Sequence, residues 1–194
     1  MPDRETRCVY FEAVGPQNTR RTLELAKERA EELGIQHIIV ASVSGRTGVQ
    51  AAEILKGYRL VVVTHSTGFG APNEQEFLPE NRALIEQAGG QILTCTHALG
   101  GFARAVRRKL GTYQLDEVVA FVLRNFCEGI KVACEITVMA TDAGLVPAGQ
   151  EVIAIGGTGR GADTAAVLLA AHAQDFFDLR VLEIICKPRL AGRR

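Results

Sequence analysis

Short apolar runs alternate along this chain with longer segments in which apolar residues recur every three or four positions. The short runs predict β-strands, and Ile38–Ala41, Leu60–Val63 and Val152–Ile155 are continuously apolar, as is typical of strands covered on both faces. The alternation predicts an α/β fold of three layers, with a mainly parallel sheet between two layers of helices. The predicted strands are Cys8–Glu12, His37–Ser42, Leu60–Thr64, Gln91–Thr94, Glu151–Gly156 and Arg180–Cys186.

The longer segments carry ordinary helix start and stop signals. Asn18 or Thr19 is a suitable N-cap for the first helix, and Gly34 is a suitable residue to end it. Further helices are predicted after Gly45 as far as Gly57, over Pro79–Ala88, around Leu99–Leu110, over Leu115–Gly144 with a break near Gly129, and over Ala162–His172.

Length and composition narrow the class of protein. The 194 residues are 47% hydrophobic, which predicts a single domain over residues 1–194 with a disordered tail at 191–194. Lys plus Arg and Asp plus Glu both number 22, so we expect no nucleic-acid partner. No apolar run approaches the roughly 20 residues of a membrane span, and the polar first residues do not resemble a signal peptide. The odd number of cysteines and the lack of a CxxC pair predict reduced thiols, no metal site and a cytoplasmic location.

The turn after the second predicted strand has the composition of an anion site. It brings hydroxyls, backbone N–H groups and a guanidinium to the start of a helix, where a phosphate is favoured. In the alternative interpretation its serines only cap that helix, and the sequence leaves both open. The candidate ligands in this turn are Ser42, Ser44, Gly45, Arg46 and Thr47.

Three further loops follow predicted strands and are rich in Ser, Thr, Gly and His. Because the carboxyl ends of parallel strands meet at one edge of a sheet, we expect these loops to converge on one site. Gly157-x-Gly159-x-x-Ala162 loosely fits a dinucleotide-binding fingerprint, but a glycine-rich turn that lets a ligand or another loop approach closely is the favoured interpretation. The candidate ligands in these loops are Thr64, His65, Gly157, Thr158, Gly159 and Arg160.

His65 and His97 are candidates for a general base, although a hydrogen-bonded loop histidine is the favoured interpretation of each taken alone. The connection Ser66–Leu78 is long enough to close over a ligand or to form a subunit contact. Glu135 is either a catalytic carboxylate in an apolar stripe or, as we favour, the partner of Lys131. The cluster Arg104, Arg107, Arg108 and Lys109 is basic enough to attract an anion, but a solvated helix face is the favoured interpretation.

The strand, turn and helix over Ile38–Ala52 resemble the turn of the pyruvate kinase C-terminal α/β domain that holds a phosphate of the allosteric sugar bisphosphate. Here Val43 removes one hydroxyl donor, and Arg46 either replaces that contact or points to solvent. Over nearly the whole chain the sequence resembles a family of stand-alone, uncharacterised prokaryotic proteins that are similar to this domain. The segments that carry this resemblance are Tyr10–Glu12, Asn18-Thr19, Val62–His65, Gly68-Phe69, Thr96–Leu99, Val132–Glu135, Ala140–Gly144 and Gly157–Thr164.

The resemblance implies the fold, an anion pocket and a homo-oligomer. It does not imply phosphoryl transfer, because the kinase active site lies in another domain. We therefore predict a domain without pyruvate kinase activity that binds a phosphorylated small molecule, either flavin mononucleotide (FMN) or a sugar phosphate. The alternatives are an enzyme with His65 or His97 as base and Arg46 or Arg160 as electrophile, and a structural or regulatory subunit with a vestigial phosphate turn.

Overall fold

A seven-stranded sheet forms the centre of the protein, and the computed structural model describes residues 3–189. The spatial order is β1-β7-β6-β5-β2-β3-β4, and every neighbouring pair is parallel except the two pairs that contain β6. This confirms the predicted mainly parallel sheet, whereas the predicted tail at 191–194 lies outside the described residues. The strands are β1 (Val9–Phe11), β2 (His37–Ala41), β3 (Arg59–Val63), β4 (Gln91–Leu93), β5 (Glu151–Gly156), β6 (Thr164–Leu169) and β7 (Arg180–Pro188).

Helices cover both faces of the sheet. Ile38 and Val40 of β2 pack in one core cluster with α1, α2 and α3, while Ile39 between them packs in a second cluster with α6. This alternation is the period-two geometry of a strand buried on both faces, and it produces the three predicted layers. The helices are α1 (Thr19–Leu33), α2 (Arg46–Ile54), α3 (Pro79–Gln87), α4 (Phe102–Leu110), α5 (Leu115–Arg124) and α6 (Glu128–Asp142), with short 3-10 helices at Pro16–Asn18 and Ala173–Asp178.

The predicted helix over Ala162–His172 is wrong, because this segment contains β6, antiparallel to both β5 and β7. Ala165 and Val167 pack on the α1 side of the sheet, whereas Ala166 and Leu168 pack on the α6 side. Alanine and leucine favour helices intrinsically, but a short apolar run buried on both faces is stable as a strand. The glycine-rich segment 157–163 is therefore a hairpin loop, and the dinucleotide fingerprint lacks the helix that it requires.

The helical stretch Leu115–Gly144 is broken just before Gly129, at residues 125–127, and Gly129 itself lies in the first turn of α6. A Cβ atom on Gly129 would lie 2.1 Å from the Thr164 hydroxyl oxygen. Glycine is therefore needed because α6 approaches β6 closely at this point.

The segments that follow β2, β3, β4 and β5 leave the same edge of the sheet, because these strands run parallel. That edge holds every candidate site residue named from the sequence.

Candidate functional site

The turn after β2 is held by contacts within the protein. The Ser42 hydroxyl oxygen accepts a hydrogen bond from the Gly48 amide at 3.2 Å, and so caps α2. The Ser44 carbonyl accepts from the Leu78 amide at 3.2 Å and from the Asn81 side-chain amide at 2.9 Å. The start of α3 is thus fastened onto the predicted phosphate turn.

Gly45 is packed tightly in this turn, while its neighbours differ in exposure. Gly45 has φ of 89°, and an added Cβ would lie 2.6 Å from the Asn81 Cβ. Arg46 is exposed and Thr47 is buried. Within residues 3–189 the amides of Arg46 and Thr47 donate to no backbone carbonyl, as is normal for the first turn of a helix. The Ser42 hydroxyl therefore accepts from an amide of the first turn of α2, as the capping interpretation predicts.

The Thr64 hydroxyl joins two strand ends. It lies 2.7 Å from the Thr94 hydroxyl oxygen, and Thr64 is buried. This predicted ligand residue therefore links β3 to β4.

The hairpin loop 157–163 is organised around the carboxylate of Asp163, which is fully buried. The Asp163 oxygens accept from the amides of Gly15 (3.1 Å) and Thr158 (3.2 Å) and from the hydroxyl of Thr164 (2.9 Å). A Cβ on Gly161 would lie 2.4 Å from the Pro16 Cα, so another segment does approach this loop closely. Asp163 was not among the site residues predicted from the sequence.

The residues of the same loop that were predicted as ligands differ in exposure. Gly159 and Arg160 are exposed, and Gly157 is half-buried. The Thr158 hydroxyl oxygen is buried without a hydrogen-bond partner among the described residues.

The two histidines lie together at the ends of β3 and β4. The ring centres of His65 and His97 are 5.3 Å apart, and Phe69 lies 4.0 Å from His65 and 4.9 Å from His97. His65 Nδ1 donates to the Glu76 carboxylate at 2.8 Å, so its Nε2 is left as the acceptor nitrogen. A histidine oriented by a carboxylate is one element of an acid–base site.

His97 is a neutral side chain at pH 7. Burial lowers its pKa to about 4, the Glu135 carboxylate partly opposes that effect, and the His65, Lys131 and Arg104 charges lower it further. A base with this pKa is a weak proton acceptor near neutral pH.

A cleft of about 480 Å³ opens beside these rings, between the loop after β3, the loop after β4 and α4. Arg104, Arg108 and Lys109 line it, and no aspartate or glutamate does so in the part of the chain that the structure describes. The guanidinium of Arg104 lies 4.6 Å from the centre of the Phe69 ring. The cleft is therefore electropositive and partly aromatic.

A buried ion pair supports the wall of this cleft. Lys131 donates to Glu135 within α6, and the second oxygen of Glu135 accepts from the Leu99 amide at 2.9 Å. Leu99 precedes Gly100 and Gly101, which line the cleft. The predicted pairing of Glu135 with Lys131 is confirmed, and the carboxylate also positions the loop after β4.

The structure brings only part of the predicted site together. The rings of His65 and His97 are in contact, and His97 lines the cleft. The turn 42–47, in contrast, is bonded to the start of α3, and the hairpin loop to the segment before α1. Arg104, Arg108 and Lys109 of the basic cluster line the cleft, although a solvated helix face was the favoured interpretation of that cluster. Arg104 and Arg108 stand four positions apart and so share a helix face.

Neither a metal site nor a membrane-spanning helix is found among residues 3–189. No group of three or more His, Cys, Asp and Glu side chains is placed to hold a metal ion. No helix in the same range is long and apolar enough to cross a bilayer.

Two crystal structures of pyruvate kinase from Cryptosporidium parvum are similar to this chain. Both are 13% identical to it and cover 79% of it, with TM-scores of 0.43 and 0.40. This chain covers 23% and 22% of those proteins, so it spans less than a quarter of their length. Residues 20–168 match the family described as pyruvate kinase, alpha/beta domain. The match includes most of the chain, which therefore belongs to the pyruvate kinase α/β domain family.

Proposed function

We propose that this protein binds a phosphorylated small molecule in the cleft beside α4. The observation that carries the proposal is the lining of that cleft by Arg104, Arg108 and Lys109 without an acidic side chain among the described residues. Guanidinium and ammonium groups form charge-assisted hydrogen bonds with phosphate oxygens. Ser66 and Thr96 also line the cleft and offer hydroxyls to the rest of the ligand.

A sugar phosphate suits this lining better than FMN. The Phe69 ring already contacts His65 at 4.0 Å and the Arg104 guanidinium at 4.6 Å, so a flavin ring has to displace one of them to stack there. Hydroxyls and glycine backbone groups, in contrast, match the hydroxyls of a sugar. FMN is the second candidate ligand.

A second location for the phosphate is the turn 42–47, where the amides of Arg46 and Thr47 donate to no backbone carbonyl within residues 3–189. In that arrangement Arg46 is the contacting cation, with Arg160 of the hairpin loop as a further candidate. The two locations use different arginines and are separable by substitution.

An acid–base enzyme is the second candidate function, and the contact between His65 and Glu76 favours it. With Nδ1 held by the carboxylate at 2.8 Å, His65 presents Nε2 as a base. The pKa of His97, about 4, makes it the weaker candidate for that role. Pyruvate kinase activity is not part of this proposal.

We also propose a cytoplasmic location. Cys8, Cys95, Cys127, Cys134 and Cys186 are all free thiols. Burial raises the pKa of Cys134 and Cys186 to about 12, so these two stay protonated and unreactive.

Calorimetric titration with glucose 6-phosphate, FMN and unphosphorylated glucose tests the binding proposal. We expect glucose 6-phosphate to bind, glucose not to bind, and Arg108→Ala to weaken binding by about tenfold or more. Arg82→Ala is the matched control, because Arg82 is an arginine of α3 that pairs with Glu86 outside the cleft.

Three results contradict parts of this proposal. Equal affinities for glucose and glucose 6-phosphate show that the phosphate group does not contribute to recognition. A loss of affinity in Arg46→Ala but not in Arg108→Ala moves the site to the turn after β2. Tight binding of FMN without binding of glucose 6-phosphate identifies FMN, and not a sugar phosphate, as the ligand.

A further inference from the structure

Helix α4 carries the cations of the cleft, but little of it is packed against the protein. Of its nine residues Ala103 alone is buried, whereas Phe102 at its start and Leu110 at its end are 84% and 68% exposed. Helices in proteins take most of their stability from the packing of an apolar face. A movement of α4 therefore disrupts little of the core.

The backbone before α4 changes from fixed to flexible within two residues. Leu99 is buried, and its amide donates to the Glu135 carboxylate at 2.9 Å. Gly100 and Gly101 follow it, and Gly111 ends the helix with φ of 73°. Glycine adopts more backbone conformations than any other residue, and hinges are residues that absorb a change of φ and ψ. Gly100–Gly101 and Gly111 are therefore placed as the two hinges of α4.

The loop after β3 forms the opposite wall of the cleft and is fixed by its own hydrogen bonds. The Gly68 amide donates to the Glu74 carbonyl at 2.8 Å, and the Gln75 side-chain amide donates to the His65 carbonyl at 3.1 Å. Phe77, near the end of this loop, is buried in a core cluster. Because this wall is fixed, any closure of the cleft falls to α4.

Contacts of two arginines hold α4 in its present position. The Arg104 guanidinium lies 4.6 Å from the centre of the Phe69 ring, and Arg107 Nε donates to one oxygen of Glu117 at 2.7 Å. The other Glu117 oxygen is buried and has no hydrogen-bond partner among residues 3–189. A guanidinium can donate to both oxygens of one carboxylate, and a buried acceptor without a donor is costly. A shift of α4 that supplies the second donor is therefore favourable.

The charges of α4 make such a shift depend on a ligand. Arg104 and Arg108 lie four positions apart on the face that lines the cleft, with Lys109 beside them. Like charges at this spacing repel each other, and a phosphate among them replaces the repulsion with charge-assisted hydrogen bonds. A ligand shifts a conformational equilibrium towards the state in which it makes more contacts, which here is the state with α4 nearer to the phosphate.

We infer that α4 is a lid, which turns about Gly100–Gly101 and Gly111 and closes over the cleft when a phosphorylated ligand binds. The inference rests on the proposed function, because the phosphate of the ligand draws the helix inward. Closure brings α4 against the wall that holds Phe69 and His97, and it excludes water from the bound ligand. The ligand is then released only after α4 opens.

Phe102 is placed to report this movement, because it borders the lining face of α4. Ala105 and Lys109 line the cleft, and Phe102 lies three and seven positions before them on the same side of the helix. Its side chain is 84% exposed without a ligand. Closure of α4 therefore transfers Phe102 from water to the rim of the cleft.

Hydrogen exchange measured by mass spectrometry, with and without glucose 6-phosphate, tests the inference. We expect the amides of α4 to exchange rapidly in the free protein, and at least about tenfold more slowly with glucose 6-phosphate at 100 times its Kd. Unphosphorylated glucose leaves them unchanged. Helix α3 (Pro79–Gln87) is the matched control, because it also has nine residues and one buried side chain but lies outside the cleft.

A fluorescent variant gives a second measurement. The chain contains no tryptophan, so Phe102→Trp introduces a single reporter. We expect its emission to shift to shorter wavelength when glucose 6-phosphate is added, because the indole leaves water. Phe177→Trp is the matched control, since Phe177 is 82% exposed in the 3-10 helix Ala173–Asp178, and its emission stays unchanged.

Four results separate the lid from the proposed function. Binding of glucose 6-phosphate in calorimetry, without slower exchange in α4 or a shift in the Phe102→Trp emission, overturns the lid and leaves the proposed function intact. Slow exchange of α4 in the free protein also overturns the lid. Slower exchange in α3 and not in α4 overturns the lid and moves the phosphate to the turn after β2. A lack of binding in calorimetry contradicts the proposed function, and the lid with it.

Discussion

The guanidinium carbon of Arg104 lies 4.6 Å from the centre of the Phe69 ring, which joins α4 to the loop after β3. Phe69 in turn contacts His65 at 4.0 Å and His97 at 4.9 Å. The aromatic wall and the cationic wall of the cleft are therefore one connected group. A change at Arg104 affects both.

We expect Arg104→Ala to weaken binding of glucose 6-phosphate by about tenfold or more, because it removes a charge-assisted hydrogen bond and the contact with Phe69. Arg104→Lys keeps the charge but loses the planar donor group. We therefore expect its affinity to fall between those of the wild type and Arg104→Ala. Calorimetric titration of the three proteins checks this order. An unchanged affinity in Arg104→Ala excludes Arg104 from the binding site.

The low pKa of His97 makes stability depend on pH. Because the folded-state pKa of about 4 lies below the unfolded value of about 6.5, the unfolded chain binds more protons between these values. The free energy of unfolding is therefore fully retained above pH 6.5 and falls as the pH drops towards 4. After allowance for partial exposure, the loss is up to about 2 kcal/mol.

Urea unfolding at several pH values between 4 and 8 measures this dependence. His97→Asn removes the titrating group, and we expect the slope of its stability between pH 6.5 and 4 to be smaller than that of the wild type. Identical slopes in the two proteins show that His97 is not the group responsible.

Glu135→Gln is expected to destabilise the protein by about 3–5 kcal/mol, because it leaves the buried ammonium of Lys131 without its carboxylate partner. The double variant Lys131→Met with Glu135→Leu removes both charges and recovers much of that stability. Glu86→Gln is the control, since it removes an exposed pair with Arg82 and costs under about 1 kcal/mol. Urea unfolding measures the free energy of unfolding of these variants. Equal losses of that free energy in Glu135→Gln and Glu86→Gln contradict the expectation.

Asp163→Asn replaces one accepting oxygen with a donor that faces donor groups. Asp163 accepts from two amides and a hydroxyl, so we expect a loss of about 2–3 kcal/mol in thermal or urea unfolding. Asp142→Asn is the matched control, because Asp142 also accepts from a histidine and an amide but is 44% exposed. A stable Asp163→Asn variant shows that the hairpin loop does not depend on this carboxylate.

Elements whose signals are local could be predicted from the order of amino acids alone. Caps, glycine stops and helical spacing located α1 over Thr19–Leu33, as predicted, and continuous apolar runs located β2, β3 and β5. The pairing of Lys131 with Glu135 was also predictable, because residues four apart on a helix are neighbours whatever the fold around them.

Features that depend on partners distant in sequence could not be predicted in this way. The segment Thr164–Leu169 has residues that favour a helix, and it is a strand because β5 and β7 pair with it on both sides. The cleft depends on Phe69, His97 and Arg104, which belong to three separate segments. Local periodicity carries no information about which segments meet, because those contacts arise from the packing of the whole sheet and its helices.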